Sequence, residues 1–190
     1  MTKSDLRKQF LDRRRALSSV ELETASAHMV ANFFRNCDLA AVGFLHCFIP
    51  IKHFAEVDTG PIFQRLWDEH PQIQTVVPRV NHETEEIESL RYGPDVELVA
   101  SKWQIHEPAH EDRVDPANID IVLVPLLCFD LEGHRVGYGR GYYDRFLRSC
   151  RPDCARIGLS LFPPVEKIDD AHEGDIRLSA CITPEQLYEF

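Results

Sequence analysis

The sequence has no long hydrophobic run. Its longest nearly apolar segment, Ile121 to Phe129, spans nine residues and is interrupted by Pro125, whereas a membrane-spanning helix needs about 20 apolar residues. Residues 1–7 also lack the apolar stretch followed by small residues that marks a secretory signal. We therefore expect no association with a membrane and a cytoplasmic location.

The six cysteines include no CxxC pair. Most of them lie in apolar segments, where a free Cys behaves as a small hydrophobic residue. The segment 172–175 contains His172, Glu173 and Asp175, but no paired His or Cys at metal-ligand spacing accompanies it. This pattern predicts reduced structural thiols and argues against a zinc site.

Positively charged residues are outnumbered by negatively charged ones in the sequence. The chain has 21 Lys and Arg against 31 Asp and Glu, a net charge of −10 at pH 7. An acidic surface repels the phosphates of nucleic acids, so we expect no nucleic-acid partner. The first fifteen residues are the exception, because they contain six cations and two acids: Lys3, Arg7, Lys8, Arg13, Arg14 and Arg15 against Asp5 and Asp12. The overall acidic composition does not explain this basic N-terminal segment, so it needs a specific role.

No internal repeat, low-complexity tract or linker divides the chain, and its 190 residues fit the usual size of one domain. We therefore expect a single domain over residues 1–190. Apolar residues at helical spacing predict two N-terminal helices, over about 4–16, capped by Ser4 or Asp5, and over about 18–36.

Beyond the two N-terminal helices, short apolar runs alternate with segments of helical spacing, which predicts the α/β class. The predicted strands are 40–49, 75–78, 121–125, 155–161 and 178–183; the predicted helices are 61–69 and 142–150; the polar stretch 108–118 is a predicted surface loop.

Glycine is infrequent except at one place. Four of the nine glycines lie within nine residues, between a predicted strand and a predicted helix: Gly133, Gly137, Gly139 and Gly141. Backbone amides in such a turn can approach an anion closely, and the helix N-terminus adds a positive dipole. The spacing matches neither the dinucleotide fingerprint nor the Walker A pattern. It therefore favours anion binding without identifying the anion, and a turn that merely needs positive φ is the alternative.

The residues that flank the glycines add charge. Arg135 and Arg140 lie within the loop, and Asp144 opens the following helix. A lone acid there can balance the helix dipole, or it can bind Mg²⁺, which takes one or two carboxylates beside phosphate groups. Asp175 is the candidate for a second carboxylate.

At this point a family is recognisable. Residues 125–130 (PLLCFD) and 133–145 (GHRVGYGRGYYDR) resemble the signature of 5-formyltetrahydrofolate cyclo-ligases, and Lys3 and Arg7 match a pair four residues apart in the family's first helix. Further blocks agree in order: Phe48, 56–59, 77–79, 105–108, Gly158, Val165, Asp175, Ile182 and Thr183. The sequence departs from the family pattern at Leu126, His106 and Arg140, where family members often have Gly, Pro and either Lys or Gly.

The resemblance implies a Rossmann-like three-layer sandwich with a mostly parallel central sheet and an N-terminal helical hairpin. It also implies a monomeric enzyme that converts 5-formyltetrahydrofolate and ATP to 5,10-methenyltetrahydrofolate, ADP and phosphate, with Mg²⁺ as cofactor. The formyl oxygen would be phosphorylated by ATP, and N10 of the folate would then attack the activated carbon. The partners are thus two small molecules, a reduced folate and ATP.

The resemblance also assigns site residues, with Arg140 and Tyr143 as the expected catalytic pair. The expected ATP and phosphate contacts are Lys3, Arg7, Arg135, Gly137, Tyr138, Gly139, Arg140, Gly141, Tyr142 and Asp144. The expected metal ligands are Asp144 and Asp175. The expected folate contacts are Phe48, Ile51, Glu56, Trp103, Tyr142 and Tyr143, since aromatic and apolar walls suit flat rings.

Simpler interpretations of these residues remain open. Lys3 and Arg7 are also compatible with a solvated helix face, Asp175 with a surface acid, and Glu56 with an acid in the first turn of a helix. Phe48 and Trp103 are also compatible with plain core. At the level of function, the alternatives are a folate or phosphate binder without turnover, a relative of sugar-phosphate isomerases or acyl-CoA transferases, and an RNA-associated protein.

Overall fold

A computed structural model describes residues 1–81, 83–100 and 106–190. Within these ranges the chain forms four α-helices, two short 3₁₀ helices and twelve strands. The helices are α1 (Lys3–Arg15), α2 (Ser19–Asn36), α3 (Gly60–Glu69) and α4 (Tyr142–Ser149). The strands are β1 (Phe44–His46), β2 (Gln74–Asn81), β3 (Glu86–Arg91), β4 (Leu98–Ala100), β5 (His106–Pro108), β6 (Arg113–Val114), β7 (Ile121–Pro125), β8 (Cys128–Phe129), β9 (Arg135–Val136), β10 (Ala155–Leu159), β11 (Ala180–Ile182) and β12 (Leu187–Glu189).

Eight of the described strands form one sheet in the order β12-β11-β10-β7-β1-β2-β3-β6. Its centre is parallel, from β11 through β10, β7 and β1 to β2, and antiparallel strands complete both edges. Val122, Leu123 and Val124 are fully buried in the central strand β7, because helices cover both of its faces, as parallel sheets require. The predicted α/β class and mostly parallel sheet are confirmed.

The helices lie on opposite faces of this sheet. Apolar residues of α1, α2 and α3, such as Phe10, Phe33 and Leu66, form one core cluster with one face of the sheet. Phe146 and Leu147 of α4 form a second cluster with the other face. The arrangement is the expected three-layer sandwich.

The two N-terminal helices begin at side-chain caps. Ser18 caps α2 in a reciprocal arrangement, since its hydroxyl accepts from the Glu21 amide (3.2 Å) and its own amide donates to the Glu21 carboxylate (2.8 Å). Thr2 caps α1 by accepting from the Asp5 amide. The predicted cap at Ser4 or Asp5 is therefore wrong, because both residues lie inside the first turn.

Short edge elements account for the other differences from the sequence predictions. The run 40–49 forms a strand only over its central residues, as β1. The predicted loop 108–118 includes the edge strand β6 and the 3₁₀ helix Pro116–Asn118. No run of apolar residues marks β3 or β12, since both are partly exposed near the sheet edges.

Five of the six cysteines are buried, and all six are free thiols. This burial agrees with their predicted role as small hydrophobic residues. None of the helices in the described ranges is long and apolar enough to span a bilayer.

Gly158 provides a test of the packing between β10 and its neighbours. A Cβ atom at this position would lie 2.5 Å from Leu126 Cδ2 and 2.8 Å from Leu178 Cδ1. We expect Gly158→Ala to lower the free energy of unfolding by about 1–3 kcal/mol through overpacking. The measurement is urea denaturation. Gly93→Ala is the matched control, because a Cβ there meets no described atom within 4 Å; equal midpoints for the two variants would contradict this packing.

Candidate active site

A cavity of about 810 Å³ opens at the carboxyl ends of β1 and β7. The chain passes from β1 to β2 on one side of the sheet and later to β7 on the other side. Such a reversal of strand order is where open α/β sheets bind ligands. The cavity lining comes from α1, from residues 48–56, from the glycine loop with α4, and from residues 172–175, with further residues from β2, β3, β5 and the end of β7. Both ends of the chain thus contribute to it.

The glycine loop forms one wall of the cavity. Gly139 (φ +91°) and Gly141 (φ +68°) are left-handed, and Gly141 is the N-cap of α4. A Cβ on Gly139 would also lie 3.1 Å from the Arg7 guanidinium carbon. Glycine is therefore required here for backbone conformation and for the close approach of a cation, and the helix N-terminus faces the same space.

Helix α1 brings two cations to this wall. Arg7 Nε donates to the Gly137 carbonyl (3.0 Å), and Lys3 Nζ contacts Asp175 Oδ2 at 2.5 Å. Burial acts to raise the pKa of Asp175, but the hydrogen bonds from Lys3 and the His172 amide together with the positive charge of Lys3 outweigh it, and the pKa lies below its ordinary value. Lys3, Arg7 and Asp175 are therefore part of the cavity rather than a solvated surface.

Asp144 is fixed by two contacts. Its Oδ1 accepts from an Arg135 guanidinium nitrogen (2.7 Å) and from the Ile176 amide (3.1 Å), while Arg135 also donates to the Ile176 carbonyl. The negative charges of Asp144 and Asp175 both act to raise the pKa of Arg135, so the two carboxylates lie near one guanidinium and line the same cavity. Burial lowers the pKa of Arg135 despite the opposing effect of Asp144.

This pair of acids fits one kind of metal site. In the described ranges, no group of three or more His, Cys, Asp or Glu residues could hold a metal ion. Two carboxylates beside a cation-lined glycine loop fit Mg²⁺, which takes its remaining ligands from phosphate oxygens and water.

Glu56 also lines the cavity and is 6% exposed. Its Oε1 accepts from the Tyr138 hydroxyl (2.6 Å), and its Oε2 accepts from the Ile51 amide (2.8 Å). Burial raises the pKa of Glu56 above its ordinary value. Glu56 precedes α3 by four residues, so it is not an acid of the first helical turn.

Comparison with known proteins decides the family. The model of the 5-formyltetrahydrofolate cyclo-ligase family matches residues 1–162. The chain belongs to this family.

Individual cyclo-ligases agree with this assignment. The chain is 32% identical over 139 residues to the 5-formyltetrahydrofolate cyclo-ligase of Escherichia coli K12, a match that covers 71% of this chain and 75% of the relative. The solution structure of Aquifex aeolicus 5,10-methenyltetrahydrofolate synthetase is similar with a TM-score of 0.84 at 30% identity, over 100% of this chain and 93% of that one. A Mycoplasma pneumoniae 5,10-methenyltetrahydrofolate synthetase matches with a TM-score of 0.77 at 26% identity, over 97% and 99%.

Most residues that the cyclo-ligase resemblance singled out lie around this one cavity. Fifteen line it directly: Lys3, Arg7, Phe48, Ile51, Glu56, Arg135, Gly137, Tyr138, Gly139, Arg140, Gly141, Tyr142, Tyr143, Asp144 and Asp175. Trp103 lies outside the described residues. Phe48 belongs both to the core and to the cavity wall.

Arg140, Arg135 and Tyr143 differ in their exposure and in their hydrogen-bond partners. Arg140 is exposed, and its guanidinium makes no hydrogen bond or ion pair within the described ranges. Arg135 is buried, and its guanidinium is already engaged. The Tyr143 hydroxyl is buried without a hydrogen-bond partner among the described residues, and burial raises its pKa well above the ordinary value.

Two further residues belong to the site and were not predicted. Arg14 donates to the Tyr138 hydroxyl, and Arg148 of α4 donates to the Gly174 carbonyl next to Asp175. Arg14 follows Arg7 by seven residues and so lies on the same face of α1. That spacing is the signal that could have identified Arg14 from the sequence; Arg148 has no comparable signal, because its partner is distant in the chain.

Proposed function

We propose that this protein converts 5-formyltetrahydrofolate and ATP to 5,10-methenyltetrahydrofolate, ADP and phosphate. The observation that carries the proposal is one cavity that combines a cation-lined glycine loop at the N-terminus of α4 with the buried Glu56 carboxylate. A triphosphate suits the loop and the helix N-terminus, which we call the phosphate end. A flat ring with N–H donors suits the surroundings of Glu56, which we call the folate end.

The chemistry requires activation of an amide oxygen, because the formyl oxygen of a formamide is a poor leaving group. That oxygen attacks the γ-phosphorus of ATP, ADP departs, and an imidate phosphate forms. N10 then attacks the activated carbon and loses its proton. Inorganic phosphate leaves with the original formyl oxygen, and the methenyl bridge remains. The protein contributes positioning and charge neutralisation.

The cations divide between two tasks. Arg7, held against the loop by the Gly137 carbonyl, and Lys3 bind phosphate oxygens with the amides of Gly137, Gly139 and Gly141. Arg140 has no competing partner among the described residues, so it is free to neutralise charge that develops on the transferred phosphoryl group. Arg135 is engaged by Asp144 and Ile176, so its task is to orient the Asp144 carboxylate.

Asp144 and Asp175 are the residues that would hold Mg²⁺. The ion would supply neutralisation of the β- and γ-phosphate charges. Lys3 neutralises Asp175 in the present structure, and Arg135 neutralises Asp144 in the same way.

We infer that one chain carries out this reaction. The proposed phosphate, metal and folate residues are drawn from positions 3 to 175 and line a single cavity, which supports one domain over 1–190 acting as a monomer. The acidic net charge argues against a nucleic-acid partner, and the proposed substrates are small molecules of the cytoplasm.

The proposal is tested by mixing the purified protein with (6S)-5-formyltetrahydrofolate and Mg-ATP and by following the near-ultraviolet absorbance of the methenyl product. We expect the band to grow only when ATP and Mg²⁺ are both present. Folate binding by calorimetry without growth of the band would contradict catalysis and would favour a binder without turnover.

Glu56→Gln tests whether the Glu56 carboxylate acts on the folate rather than on ATP. Loss of the carboxylate charge weakens hydrogen bonds from N–H donors of the folate ring, so we expect the folate KM to rise about 10-fold or more. The KM of ATP should stay within about twofold, since the phosphate end is untouched. Glu69→Gln, an exposed carboxylate paired with Arg65, is the control; equal changes in both KM values would contradict the assignment.

A further inference from the structure

A hydrogen-bonded chain connects the inner face of α1 to the carboxylate of Glu56. Arg14 Nη1 donates to the Tyr138 hydroxyl (3.0 Å), which in turn donates to Glu56 Oε1 (2.6 Å). The Tyr138 ring stacks on Phe54, with ring centroids 4.8 Å apart. Since the Ile51 amide holds the second oxygen, the orientation of the carboxylate depends on groups from three separate parts of the chain.

Arg14 is unusual because its charge is buried without a direct counter-ion. The residue is 2% exposed. Its guanidinium donates to two neutral acceptors, the Tyr138 hydroxyl and the Leu126 carbonyl, and its Nε has no partner among the described residues. Within those residues no carboxylate lies at ion-pair distance from it. Burial of an unpaired cation costs stability, so folding alone does not account for an arginine here.

The charge of Arg14 acts on Glu56. Burial raises the pKa of Glu56, whereas the Tyr138 hydroxyl, the Ile51 amide and the charges of Arg14 and His53 lower it. The titratable or charged groups that face Glu56 are Arg14 from α1, His53 from the 3₁₀ helix, Tyr138 from the glycine loop and Tyr143 from α4. Arg14 is the permanently charged member of this set.

We propose that Arg14 is a positioning residue for the folate end of the cavity: acting through the Tyr138 hydroxyl, it keeps the Glu56 carboxylate ionised and oriented to accept hydrogen bonds from N–H donors of the substrate ring. The inference rests on the proposed function, because it takes a reduced folate as the occupant of that end. Arg14 itself does not contact the substrate.

The test compares Arg14→Met with Arg14→Lys and with Arg15→Met. Arg15 is on the same helix, is exposed and contacts only Asp12 within the described ranges. Calorimetry gives the affinity for 5-formyltetrahydrofolate from about pH 5.5 to about pH 8.5. Binding needs ionised Glu56, so affinity is present above the pKa of Glu56 and is lost as the pH falls through it.

Removal of the Arg14 charge raises that pKa. We call the fall in folate affinity on the acid side of the pH profile the acidic limb. We therefore expect the acidic limb to move to higher pH by about one unit in Arg14→Met. At neutral pH the folate KM should rise about 10-fold while the ATP KM changes by less than about twofold. Arg14→Lys retains the charge and should keep the limb near its original pH, and Arg15→Met should leave both KM values and the limb unchanged.

A second variant keeps the test decisive if Arg14→Met does not fold. Tyr138→Phe retains the ring and Arg14 but breaks the link, and it too should move the acidic limb upward. In the double variant, Arg14→Met should add little to Tyr138→Phe, because both interrupt one path. Independent, additive effects would overturn the relay, as would an unshifted limb in Tyr138→Phe.

The two proposals fail in different ways. A wild-type protein that binds folate but forms no methenyl product overturns the proposed function. A wild-type protein that turns over, together with an Arg14→Met variant in which folate and ATP affinities fall equally and the acidic limb does not move, overturns only the role of Arg14.

Discussion

Replacement of Arg140 by Met is expected to lower kcat about 1,000-fold, the usual magnitude for loss of an arginine that stabilises a transferring phosphoryl group. Arg140 lines the cavity, is exposed, and its guanidinium makes no hydrogen bond or ion pair to another described residue. Its removal should therefore leave the unfolding midpoint unchanged and act on the chemical step alone. The measurement is kcat at saturating folate and Mg-ATP, together with a thermal unfolding scan.

Two matched variants sharpen this prediction. Arg140→Lys retains a charge without the planar fork and should recover part of the rate. Arg177→Met removes an exposed arginine whose one ion pair among the described residues is a long contact to Glu132 (3.7 Å), and it should retain full activity. A kcat for Arg140→Met within about threefold of the wild type would remove Arg140 from the transfer step.

The second large effect is expected for Asp144→Asn. The amide oxygen can still accept from Arg135 and Ile176, so the fold should persist, but one of the two carboxylates for Mg²⁺ is lost. We expect kcat/KM for Mg-ATP to fall about 100- to 1,000-fold and the Mg²⁺ concentration for half-maximal rate to rise. The measurement is a rate titration with MgCl₂ at fixed ATP.

Asp153→Asn is the control for this change, since Asp153 is an exposed carboxylate paired with Arg151. It should leave the Mg²⁺ titration unchanged. If Asp144→Asn loses activity without any change in its Mg²⁺ requirement, then Asp144 acts only by orienting Arg135, and the metal assignment is wrong.

Local features of the sequence predicted the parts of the site that depend on local structure. The turn at 137–141 needs glycine because Gly139 and Gly141 adopt left-handed backbone conformations. The helix that follows begins at Tyr142 without a side-chain cap. A cluster of glycines between an apolar run and an amphipathic segment is therefore visible without knowledge of the fold. The helices α1 and α2 are predictable from their periodic apolar residues, although the cap of α1 is Thr2 rather than the predicted Ser4 or Asp5.

Contacts between distant parts of the chain could not be predicted from these local features. Lys3 meets Asp175 across 172 positions, and Tyr138 meets Glu56 across 82. The family resemblance placed these residues at one site, but their partners depend on how α1 and the glycine loop pack against the sheet. Arg14 differs in sequence from its exposed neighbour Arg15 by its seven-residue spacing from Arg7, and that spacing does not reveal its distant partner Tyr138.

The most direct test of the central claim follows the formyl oxygen. The substrate is 5-formyltetrahydrofolate labelled with ¹⁸O at the formyl group, and the inorganic phosphate formed with Mg-ATP is analysed by mass spectrometry. Because the formyl oxygen attacks the γ-phosphorus and departs with it, we predict one ¹⁸O atom in each phosphate, in equal amount to the methenyl product. Unlabelled phosphate formed alongside that product would contradict phosphorylation of the formyl oxygen.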